Sequence, residues 1–193
     1  MRSTRRLGIA AAALALALTA CSSGATGKAP KRLIPPEQAV QQLSALLDES
    51  LSEVRPKLRY RDEWPRSTEQ YSRGLDEHSL GYATASRRRH IMTKVSPAKY
   101  GVLLDMVRRG LQARGYTVNS AAPDRLAVSA TTPDGSGVGI TIHPAGNIDI
   151  GASVGPVPVA DGHDSFGTPT PEPTMSNGNP DILPRDDDPF WSN

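Results

Sequence analysis

SPAKYGVLLDMVRRGLQARGYTV, residues 96–118, is the stretch that decides the fold. Ser96 suits a helix N-cap, and Pro97 suits the first turn behind it. Tyr100, Leu103, Leu104, Val107 and Leu111 recur at helical spacing and form one apolar stripe. Lys99, Arg108, Arg109, Gln112 and Arg114 fall largely outside the stripe, and Gly115 ends the helix. Directly after Gly115 the apolar period switches from helical to two, so an amphipathic helix is followed by strands.

Outward from this switch, Tyr116 to Ser120, Leu126 to Thr132, Val138 to His143 and Asn147 to Ser153 read as short strands. Pro123-Asp124, Pro133-Asp134-Gly135 and Pro144-Ala145-Gly146-Asn147 supply their turns. Ser86 to Val95 reads as a strand before the helix. Further upstream, Pro36 and Glu37 open an earlier helix. Val40, Leu43, Leu47, Leu51 and Val54 follow at helical spacing until Pro56 stops the run. Helix, strand, helix and a meander of strands predict an α+β two-layer sandwich, with two helices on one face of a mainly antiparallel sheet. The domain spans residues 36–154, long enough to bury its own core.

Both flanks read as tails. Gly155 to Asn193 holds eight prolines, and its seven acids face a single basic residue, Arg185. Such composition does not offset the entropy of ordering, so the segment is expected to be disordered. Ser22 to Pro35 reads as a flexible tether. Ser22 to Val154 carries 18 Lys and Arg against 13 Asp and Glu, a basic body before an acidic tail.

The first 20 residues have the three parts of an export signal: a basic start at Arg2, Arg5 and Arg6, an uncharged Ala/Leu run from Leu7 to Leu18, and small residues at Thr19 and Ala20. The run is shorter than the roughly 18 apolar residues that span a bilayer. Thr4-Arg5-Arg6-Leu7 also carries a weak twin-arginine hint, although a basic start alone explains the pair. Cys21, the one cysteine of the chain, closes Leu18-Thr19-Ala20-Cys21. This resembles a bacterial lipobox. The resemblance implies cleavage before Cys21, an S-diacylglyceryl and N-acyl group on it, and a mature protein anchored at the outer face of the cell membrane. Two or three acyl chains hold a protein stably where one does not.

The chain also resembles the small lipoproteins of high-GC actinobacteria. The resemblance rests on the lipobox, Trp64-Pro65, the run Leu103-Leu104-Asp105-Met106-Val107 leading to Gly115-Tyr116, and the Pro133-Asp134-Gly135 hairpin. It implies an envelope protein and brings no activity with it. The cysteine pair of some members is absent here. With Cys21 lipidated, disulfides, thiolate metal sites and a cysteine nucleophile are excluded.

Four features carry candidate chemistry. Arg87-Arg88-Arg89-His90 lies on the expected strand, where Arg87 and Arg89 share a side with Ile91 and Arg88 shares the other with His90. The three arginines form a possible patch for an anionic lipid, a wall polymer or an acidic peptide. The plainer reading is a solvated edge strand guarded by charge. Tyr60, Trp64, Tyr71 and Tyr82 fall in a stretch read as irregular, where they line a groove or simply cover the core. Asp76-Glu77-His78, His90 and His143 supply acid/base or ligand types without metal-binding spacing.

The fourth feature is Asp186-Asp187-Asp188-Pro189-Phe190-Trp191, read as part of an inert solvated tail or, alternatively, as a motif docking on the basic run. Gly135-Ser136-Gly137-Val138-Gly139 opens no helix and reads as turn and strand residues rather than a phosphate cradle. No Gly-x-Ser-x-Gly falls in the strand–turn–helix setting that a nucleophile elbow requires. The expectations are therefore a monomeric binding or accessory module of the cell envelope, with no cofactor and no metal. Its partners are the membrane, through the anchor, and an envelope protein or an anionic wall or lipid component. Nucleic acid is excluded by compartment and by the lack of a recognisable module. The alternative is an envelope hydrolase whose carboxylates and histidines converge only in three dimensions.

Overall fold

Pro36 to Ser50 forms α1, with Pro36 preset for the first turn and Glu37 near the positive end. Its buried positions Ala39, Leu43, Leu46 and Leu47 recur at three and four residues, one stripe facing the sheet. The second helix, α2, runs from Tyr100 to Ala113 behind one 3₁₀ turn at Pro97–Lys99. It buries Leu103, Leu104, Val107 and Leu111, the stripe expected from the sequence. Gly115 leaves it with φ of 77°, a left-handed conformation that a Cβ would strain. The computed structural model describes residues 32–72, 76–119, 126–160 and 165–193. The export signal, Cys21 and most of the tether lie outside the described residues, as does the Pro123-Asp124 turn.

Seven strands follow in chain order: β1 Tyr60–Asp62, β2 Arg66–Tyr71, β3 Ser79–Ile91, β4 Thr117–Asn119, β5 Ala127–Thr131, β6 Gly137–Ile142 and β7 Ile148–Val157. They form one antiparallel sheet in the order β1-β3-β7-β6-β5-β4, and β2 also pairs with β3. Its hairpins turn where expected: Gly135 and Gly146 take φ of 88° and 87°, and their N–H groups bond back to Thr132 O and His143 O. Both helices cover the same face, α1 over β3, β7 and β6 and α2 over β4, β5 and β6. That face carries Val128, Ala130, Val138, Ile140, Ile142, Ile148, Ile150, Ala152 and Val154, all buried in alternation. Each large aliphatic side chain removed from water there contributes about 1.5–3 kcal/mol.

Three expectations are corrected. The stretch read as irregular between the first helix and residue 86 holds β1, β2 and the first half of β3. β1 and β2, with runs such as Arg66-Ser67-Thr68-Glu69, are polar on both faces and give no apolar alternation to read. Strand β3 is not an edge: β7 flanks it on one side, β1 and β2 on the other.

The segment from Gly155 is also not a wholly disordered tail. β7 runs through to Val157, which is fully buried. Trp191 is fully buried in the core, and its Nε1 donates to Pro56 O at 2.9 Å. Asp186 bridges Thr93, Lys94 N donates to Asp186 O at 2.8 Å, and Ser96 N donates to Trp191 O at 2.8 Å. Ser96 does not cap its helix by side chain; its Oγ donates to Asn193 O at 3.0 Å. The acidic-aromatic end therefore docks on its own domain, at the β3–α2 connection rather than on the arginine run. One indole outweighs the polar composition around it, because a single large apolar side chain can supply most of the docking energy.

Candidate functional site

β3 meets both layers at once, and its alternation sorts the arginine run between them. Arg87 and Arg89 point to the helix face. Arg87 Nη1 donates to Ser44 Oγ on α1 at 2.9 Å. Arg89 is buried, bonded to both oxygens of Asp62 at 2.5 and 3.0 Å and to Asp48 Oδ1 at 2.9 Å. Its guanidinium also stacks 3.6 Å from the centre of the Tyr60 ring. Burial opposes its charge, but the bonds to Asp62 and Asp48 outweigh that and raise its pKa further. Two of the three arginines are therefore ties between β3, β1 and α1. The expected patch of three is corrected to Arg88 alone, which faces the open side of the sheet.

That open side carries mostly short side chains. Arg88, Gly151, Gly139 and Ser129 stand in one cross-strand row, and Ser86, Ser153, Gly137 and Thr131 in the next. Over them lies a groove of about 530 Å³, walled on one side by Glu63 and Trp64 from the β1–β2 connection and by Arg66 at the start of β2. A second hollow of about 360 Å³ shares Arg88, Ser129, Gly139 and Gly151 and reaches His143 and Asp149. Glycine inside a strand costs roughly 0.5–1 kcal/mol against alanine and marks close approach of a ligand or another backbone. At Gly139 a Cβ would lie 3.0 Å from Val128 O, so packing accounts for that glycine. At Gly151 a Cβ would meet nothing within 4 Å, so packing gives no reason for it.

Behind Arg88 runs a chain of ionisable groups. His90 is buried between two carboxylates, with Nδ1 2.7 Å from Asp149 Oδ1 and Nε2 2.6 Å from Glu63 Oε1. With a carboxylate oxygen against each ring nitrogen, the protonated ring is the form that satisfies both, donating from Nδ1 and Nε2 and keeping no lone pair for a base. Asp149 also takes His143 Nε2 at 3.0 Å, and Arg88 lies 3.7 Å from Glu63. Burial opposes charge on His90, yet its bonds to Asp149 and Glu63 prevail and raise its pKa. Burial likewise pushes Asp149 up, but the bond and charge of His90, then the charge of His143, hold its pKa low.

The raised His90 value contributes stability below about pH 6.5 that is lost as pH climbs through the folded value. The lowered Asp149 value contributes stability above about pH 4 that is lost on acidification through its folded value. The joint contribution of this pair should therefore be greatest between about pH 4 and 6.5. Urea midpoints at pH 5.5 and 8.5 check this: the wild type should lose stability at the higher pH, and His90→Gln should be weaker at pH 5.5 but nearly flat. An equal loss in the variant would assign the slope elsewhere.

The remaining expected residues do not converge. His78 sits in the β2–β3 turn, where its Nδ1 lies 3.0 Å from both Ser72 Oγ and Asp76 O. Tyr60 is on the helix face beside Arg89, Tyr71 is exposed at the end of β2, and Tyr82 lies on β3. Of the four aromatics, Trp64 alone is among the groove's lining residues. His143 and His90 do meet a carboxylate beside a hollow, the geometry a hydrolase needs. Among the described residues, however, no groove hydroxyl is hydrogen-bonded to either ring, and no group of three or more His, Cys, Asp or Glu side chains is placed to hold a metal. Sequence reading missed Glu63, Asp149 and the glycine floor. The isolated glycines at 137, 139 and 151, each inside a strand pattern, were the available signal. No family model, curated protein or solved structure matches the chain.

Proposed function

We propose that this chain is a lipoprotein anchored through Cys21 at the outer face of the cell membrane, and that its domain is a binding module taking an envelope component in the groove of the open sheet face. The anchor rests on the sequence: the basic start, the short apolar run and Leu18-Thr19-Ala20-Cys21. Among the described residues no helix is long and apolar enough to cross a membrane. The binding role rests on Gly151, a glycine in the middle of β7 with open space where its side chain would be.

Gly151→Val tests it. A β-branched residue fits the strand and should raise stability by about 0.5–1 kcal/mol while filling the groove. The expected result is a more stable protein that no longer retains ligand from a soluble envelope extract. A variant that is stabilised and still binds equally would move the site off this face. For the anchor, Cys21→Ala should leave the protein unprocessed or released from membranes; a processed, membrane-bound variant would end the lipoprotein reading. The second reading, an envelope hydrolase, is favoured by the His143–Asp149 pair at the end of the adjoining hollow. It requires turnover of a substrate that His143→Ala abolishes.

A further inference from the structure

We infer that the groove takes a carboxylate-bearing glycan, with Arg88 and Arg66 as its charge contacts. This rests on the binding reading above and names its ligand class. The floor belongs to strands inside the sheet, whose N–H and C=O groups are spent on their neighbours. A peptide main chain finds no ladder to join there, which sets aside strand addition. What the floor offers is short hydroxyls, Ser86, Ser129 and Ser153 among them, each both donor and acceptor, spaced by bare glycine. Sugar hydroxyls have the same two-way character, and a ring can lie flat over Gly151, where a Cβ would meet nothing within 4 Å.

Charge narrows the class further. Arg66 and Arg88 are 65% and 56% exposed at the Trp64 wall. Each has a carboxylate nearby, Glu172 at 3.6 Å and Glu63 at 3.7 Å, and both distances exceed hydrogen-bond reach. The guanidinium forks thus keep their donors for a planar carboxylate, which they bind bidentately. Glu172 comes from the C-terminal segment and stands as an internal carboxylate beside Arg66, one that a ligand carboxylate displaces.

The test is titration of the ¹⁵N-labelled domain with soluble glycan fragments released from bacterial cell wall by muramidase. The same fragments with their carboxyls amidated serve as the neutral probe, and vesicles containing anionic phospholipid as a third. The expected result is saturable shifts at the Gly139, Gly151 and Ser153 amides with the acidic fragments, lost on amidation. Arg88→Gln should weaken binding about tenfold or more, and Glu172→Gln should tighten it two- to threefold, the order of a lost surface ion pair. Equal shifts with the amidated fragments would overturn the carboxylate while leaving the groove as a binding site. Shifts with vesicles alone would overturn the glycan. No groove shifts with any probe, from a folded protein, would overturn the groove reading as well.

Discussion

Trp191→Ala should destabilise the protein by about 3–5 kcal/mol, the usual cost of truncating a buried large aromatic. That is a large share of the roughly 5–15 kcal/mol that holds a domain of this kind together. The indole is fully buried two residues from the C-terminus, in one cluster with the helix and sheet core. Truncation leaves a cavity and strips Pro56 O of its donor. The surrounding turn is built to present it: Asp188 Oδ1 accepts the N–H groups of Phe190 and Trp191 at 2.9 and 3.0 Å. Phe190 packs edge-on against the indole at 4.8 Å but is 37% exposed, so Phe190→Ala should cost far less. Denaturation by urea, followed by far-UV circular dichroism, measures both. Asp188→Ala should lose about 1 kcal/mol as a lost cap. If Trp191→Ala stays within 1 kcal/mol of wild type, the segment is an appendage and not part of the core.

Asp62→Ala should cost about 3 kcal/mol or more, the range for removing one partner of a buried ion pair. Arg89 has a 3% exposed side chain, and Asp62 gives it a two-oxygen grip that the more exposed Asp48 cannot replace. Removing Arg89 instead leaves Asp62, 22% exposed, with water and Arg87 Nη2 at 3.7 Å. Arg89→Met should therefore be milder than Asp62→Ala. The double variant Asp62→Leu with Arg89→Met should recover much of the loss, because neither change strands a charge. Thermal melts of Asp62→Leu, Arg89→Met and the double decide it. A double variant as unstable as the sum of the singles would show that the pair does not act as a unit.

These variants fall at places the residues announced unequally. The α2 stripe from Tyr100 to Leu111 and strands β4 to β7 were legible because burial on one face writes its period into the chain. So was the sorting of Arg87 and Arg89 to one face and Arg88 and His90 to the other, since a strand alternates whatever its neighbours are. Strands β1 and β2 were not legible. They are polar along both faces and owe their conformation to pairing with β3. Glu63 gave no local signal either: it joins His90 across 27 residues, and Asp149 joins the same ring across 59.

The chain alone settled the α+β class, the two helices and the strand meander, because short-range periodicity and turn chemistry suffice for them. It also supplied the case for a lipid on Cys21, which depends on a linear motif and on no fold. Only the tertiary structure decided which arginines are spent inside and which remains outside, since a strand's two faces acquire meaning from what covers them. It decided too that an acidic, proline-rich end closes the core with Trp191, a contact between residues 135 positions apart. The groove belongs to the same class of fact. Glycines scattered over β6 and β7 become one bare floor only when the register lays Gly139 beside Gly151.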